Sequence, residues 1–100
     1  MNIINEIHSI RIQNLCEKYN VEKLFLFGSA VTGSLKKDSD IDFLVRFKRG
    51  ELSSYFENYM ALKENLKLLF NRRIDLVEEQ SLRNPIFINS INKQKELIYG

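Results

Sequence analysis

Three acids and a Gly-Ser pair define the chemistry open to this 100-residue chain. Asp40 and Asp42 open the run Ile41-Asp42-Phe43-Leu44-Val45. Residues i and i+2 of a strand share a face, so both carboxylates would project to one side. They repel unless a cation lies between them, and Mg²⁺ takes such hard oxygen ligands together with substrate phosphates. Turn-capping or solvated acids would leave the same Asp-x-Asp trace. Here Ile41 and Phe43 put the pair at the mouth of a core strand, where bare acids are costly. Gly28-Ser29 follows another apolar run, Leu24-Phe25-Leu26-Phe27. Free N–H groups at a helix start attract phosphate, and glycine lets phosphate approach the chain. The Ser29 hydroxyl would add a donor, although Gly-Ser after a strand also serves as a plain turn. Asp75, flanked by Ile74 and Leu76, is the third acid; it either converges on Asp42 or pairs with Arg72 or Arg73. Ten residues separate Ser29 from Asp40. In combination, a phosphate cradle and three strand carboxylates suit a nucleoside triphosphate and a two-metal site for in-line phosphoryl transfer.

These side chains need a scaffold. Residues 3–19 carry an apolar stripe of Ile3, Ile4, Ile7, Ile10 and Leu15, widened by Ile12, Cys16 and Tyr19, which predicts a helix. Residues 22–27 are continuously apolar after Lys23, the pattern of a strand covered on both faces. A helical turn follows Gly28 and ends near Gly33. Residues 41–47 alternate, with Ile41, Phe43, Val45 and Phe47 facing one way and Asp42 and Arg46 the other. Ser54 and Glu57 have capping-box spacing, predicting a helix from Ser54 to about Phe70. Residues 73–78 form a third strand, and the intervening helix can return it beside the second, with Asp75 next to Asp42. Asn84-Pro85 marks the start of a last helix ending near Lys93, and Leu97-Ile98-Tyr99 adds a short edge strand. The expected fold is α/β (α+β): one domain over residues 1–100, a small mixed sheet packed with about four helices.

Composition narrows the setting. The net charge of +2 is too weak to argue for nucleic-acid binding. One cysteine, Cys16, cannot form an internal disulfide, and neither a signal peptide nor a membrane-spanning run is evident. These features suit a cytoplasmic protein without a membrane partner. His8 is expected at the surface, and Tyr55 and Tyr59 follow the apolar helix face.

The Gly28-Ser29, Asp40-x-Asp42 pattern resembles the signature of the DNA polymerase β-type nucleotidyltransferase superfamily. The short chain is similar to its minimal nucleotidyltransferase (MNT) domains, which often act as antitoxins beside a HEPN-domain ribonuclease toxin. Gly33, Ser39, Ile74-Asp75-Leu76-Val77 and Ile98-Tyr99 extend the resemblance over nearly the whole chain. It implies a nucleotidyltransferase fold and transfer of AMP from ATP to a protein hydroxyl, such as a tyrosine of the HEPN partner. Gly28 and Ser29 would hold the triphosphate, Asp40 and Asp42 would bind two Mg²⁺, and Asp75 would bind one metal and act as general base. Many relatives carry Arg between the two glycines, where this chain has Ala30-Val31-Thr32; Lys36 and Lys37 could supply that charge or simply face water. Two other readings are an antitoxin that neutralises by binding alone and a small-molecule, aminoglycoside-type nucleotidyltransferase. Only about 20 residues follow the strand of Asp75, few for an acceptor pocket of its own.

Overall fold

A computed structural model describes residues 3–50 and 52–100. Its elements run α1 (Glu6–Lys18), β1 (Val21–Phe27), α2 (Ser29–Thr32), β2 (Ile41–Phe47), α3 (Leu52–Phe70), β3 (Ile74–Glu78), a 3₁₀ turn (Glu79–Ser81), α4 (Pro85–Gln94) and β4 (Glu96–Tyr99). The four strands form one sheet in the order β3-β2-β1-β4. β1 pairs antiparallel with β2 and β4, while β2 and β3 are parallel, so the sheet is mixed. Parallel neighbours need a long crossover, and α3 provides it.

The strand pattern explains which face each helix covers. Ile41, Phe43 and Val45 of β2 join Ile74 and Leu76 of β3 in the larger core, where Ile12 and Cys16 of α1 and Leu62 and Leu66 of α3 are also buried. Phe25, Phe27 and Leu44 face the other way and meet Ile91 of α4. Leu24 to Phe27 are thus buried on both faces, as their continuous apolar run predicts. Asp42 and Asp75 alternate with the larger-core residues, so they emerge on the face that α4 covers.

Two helix starts differ from expectation. α1 begins at Glu6, after Asn5, whose side chain accepts from the His8 N–H while the Asn5 N–H donates to the His8 ring. Ile7 and Ile10 are exposed, and Ile12 and Cys16 carry the helix's buried contact. Isoleucine spacing alone did not reveal which side of this helix meets the sheet. Ser54 is likewise not an N-cap: Leu52 already begins α3, and Ser53 and Ser54 lie within it. The other end of α3 is sharp. Asn71 takes φ 52, a left-handed conformation that asparagine tolerates, and turns the chain into Arg72-Arg73 and β3. Asn84 caps α4 ahead of Pro85, as its sequence indicates.

Candidate active site

The parallel register of β2 and β3 sets Asp42 directly beside Asp75. Both lie near the starts of their strands, and Phe27 at the end of β1 pairs with Asp42 from the other side. Gly28 therefore passes immediately over this position. Its φ is 72, and a Cβ there would stand 2.2 Å from Asp42 Oδ2. Only glycine combines that conformation with such an approach. α2 then turns away at once, with the Val31 and Thr32 N–H groups donating to the Gly28 carbonyl. A glycine-serine turn and two carboxylates thus share one small region of the sheet end.

Electrostatics mark the crowding. The Asp42 carboxyl is raised from an ordinary 3.8 to about 6, first by burial, then by the charge of Asp75 and then by that of Asp40. Burial and like charges both disfavour the ionised form. Hard carboxylate oxygens that repel one another in this way are the donor set a divalent cation relieves. Asp40 lies just outside β2, and its Oδ1 accepts from Arg73 Nε at 3.1 Å. Among the described residues, no three His, Cys, Asp or Glu side chains are gathered as a metal-holding cluster. The residues fit a metal in kind, while Asp40 is engaged by an arginine.

Of the residues expected at the site, Gly28, Ser29, Asp42 and Asp75 are brought together. Lys36 and Lys37 are exposed on the loop before Asp40, and neither ammonium makes an ion pair among the described residues. Arg73 pairs with Asp40 rather than Asp75. Tyr59 is half-buried, and its hydroxyl donates to the Leu76 carbonyl at 2.5 Å, fastening α3 under β3. Burial and the charge of Asp75 raise its pKa.

Sequence reasoning missed Gln94. Its Oε1 accepts from the Gly28 N–H at 3.2 Å. Sixty-six residues separate the two, and no local pattern announces such a contact. A groove of about 680 Å³ between Phe56, Met60, Lys67 and Ile74 lies along α3, and none of the three acids lines it.

The family model for polymerase β nucleotidyltransferases matches residues 11–100. The chain belongs to that family. MJ1379 of Methanocaldococcus jannaschii, a proposed protein adenylyltransferase, is 34% identical over 102 residues and covers 99% of both chains. The protein adenylyltransferase MntA of Thermococcus cleftensis is 38% identical over 86 residues, 83% of this chain and 84% of that one. Among solved structures, a toxin-antitoxin with AMP-PNP superposes with a TM-score of 0.70 at 21% identity, covering 92% of this chain and 73% of that chain. A tri-AMPylated HEPN toxin from Shewanella oneidensis in complex with MNT antitoxin gives a TM-score of 0.59 at 19% identity, covering 95% and 71%. The two structures establish the same nucleotidyltransferase fold.

Proposed function

We propose that this nucleotidyltransferase transfers AMP from ATP to a hydroxyl of a partner protein, a tyrosine of a HEPN-type toxin, and thereby acts as its antitoxin. The pairing of Asp42 with Asp75 beneath Gly28 carries this reading. The names of the similar proteins supply the nucleotide and the acceptor class.

Asp40, Asp42 and Asp75 would hold two Mg²⁺ ions. Bound there, the ions would neutralise the triphosphate and stabilise departing pyrophosphate. The Gly28-Ser29 turn would seat the triphosphate, with Lys36 and Lys37 approaching from their exposed loop. Asp75, exposed on the β3 face, is open to an incoming hydroxyl and would accept its proton. The acceptor oxygen would then bond to the α-phosphorus, the bond from that phosphorus to the β-phosphate's bridging oxygen would break, and pyrophosphate would leave. Partner binding would supply the acceptor in place of a built-in pocket. We propose a cytoplasmic setting, where ATP, the proposed donor, is available; no helix among the described residues is long and apolar enough to cross a membrane.

Intact mass spectrometry tests the proposal. The HEPN partner is incubated with this protein, Mg²⁺ and ATP. One or more AMP units should be added, and Asp42→Asn should reduce the rate at least ~100-fold, as loss of a charge-stabilising group does. A fully active Asp42→Asn would sink the proposal. Tight complex formation without any mass gain would replace it with neutralisation by occlusion.

A further inference from the structure

Asp40 is positioned from a distance. It lies outside β2, at the end of a loop containing Lys36 and Lys37, and two residues just before β3 fasten that loop. Arg72 Nη1 donates to the carbonyls of Lys36 and Ser39 at 3.0 and 3.4 Å. Arg73 Nη2 reaches the Asp38 carbonyl at 3.5 Å, and its Nε meets Asp40 Oδ1 at 3.1 Å. The backbone joins in, since the Ile41 N–H donates to the Arg73 carbonyl. The two arginines divide the work: Arg72 holds only main-chain oxygens, whereas Arg73 also occupies a carboxylate. That carboxylate is the one of the three acids with an arginine partner among the described residues.

We propose that Arg73 is an exchangeable counter-ion for Asp40, retaining the carboxylate while the metal position is empty and surrendering it when a divalent cation binds. The inference rests on Asp40 being a metal ligand. Arg73 is then a positioning residue that sets the cation concentration at which the site assembles. The pair is mostly exposed, with the Arg73 side chain at 77% and Asp40 at 45%, so water eases the exchange. An exposed ion pair is weak, and its loss should tighten cation binding only about two- to five-fold. In the assembled site Arg73 is free beside Lys37 and Arg72, around a shallow recess of about 370 Å³.

The test is a titration of the full chain with MnCl₂, read as paramagnetic broadening of the Ile41 and Leu76 amide resonances. Arg73→Gln should bind Mn²⁺ about two- to five-fold more tightly than the unsubstituted chain. Arg72→Gln removes the same charge without touching a carboxylate and should give less than half that gain. In an Asp40→Asn background, the gain from Arg73→Gln should fall to no more than that of Arg72→Gln. Equal gains in the two arginine variants, weaker binding in Arg73→Gln, or a gain undiminished without Asp40 would each overturn the counter-ion role and leave Asp40 standing as a ligand. If Asp40→Asn binds Mn²⁺ as well as the unsubstituted chain, Asp40 is no ligand and both readings fall.

Discussion

At Asp42, burial and two neighbouring charges act in the same direction. They raise its carboxyl to about 6, so the folded chain holds this proton more tightly than the unfolded chain does. The associated stability is fully present below the ordinary value near 3.8 and is lost as pH rises through about 6. Above that, the metal-free fold carries a strained anion. Asparagine cannot ionise. In metal-free buffer, Asp42→Asn should therefore be more stable than the unsubstituted chain at pH 7 to 8, and the difference should shrink to nothing towards pH 4. Solvent screening of this partly exposed group limits the gain to about 1 kcal/mol. Thermal melts across that range decide the matter, and a pH-independent difference would refute the coupling. The same substitution should abolish transfer, so stability and activity move in opposite directions at one residue.

At the scale of elements, α3 is the piece that makes the acids meet. Leu62 and Leu66 are fully buried against β2 and β3, and burial of each contributes about 1.5–3 kcal/mol. Leu66→Ala should cost about 2–5 kcal/mol in a denaturant titration. Its residual activity, measured where the variant remains folded, should approach that of the unsubstituted chain, because the damage is to packing. The strands and the α3 crossover were legible because apolar alternation and turn residues report directly on burial. Asp75 beside Asp42 followed from that order. The helix starts were less legible. Ser54-x-x-Glu57 has cap spacing but lies inside a helix already begun at Leu52, and Ile7 and Ile10 mimic a core face while facing water. Local spacing identifies a helix; tertiary packing decides its ends and its buried side.

For the whole molecule, the contacts that finish the site cross long stretches of chain. Arg73 reaches back to Asp40, and Gln94 reaches back to Gly28. Neither bond could be read from sequence, because each depends on how the sheet order 3-2-1-4 folds distant segments together. Gln94→Ala removes the acceptor of the Gly28 N–H and should leave the fold largely intact, at a cost of about 1 kcal/mol. A rise of several-fold in the KM for ATP, with a smaller change in kcat, is expected if this bond aligns the cradle. Steady-state kinetics would show it, and an unchanged KM would remove Gln94 from the account.

The Gly28–Gln94 hydrogen bond also imposes an order in time. During synthesis, the glycine turn and all three acids leave the ribosome well before Gln94. A nascent chain carrying them still lacks the acceptor of the Gly28 N–H, and central strand β1 still lacks β4. Formation of this bond therefore waits for nearly the whole chain, and the turn at Gly28 gains its side-chain acceptor only when α4 reaches the sheet.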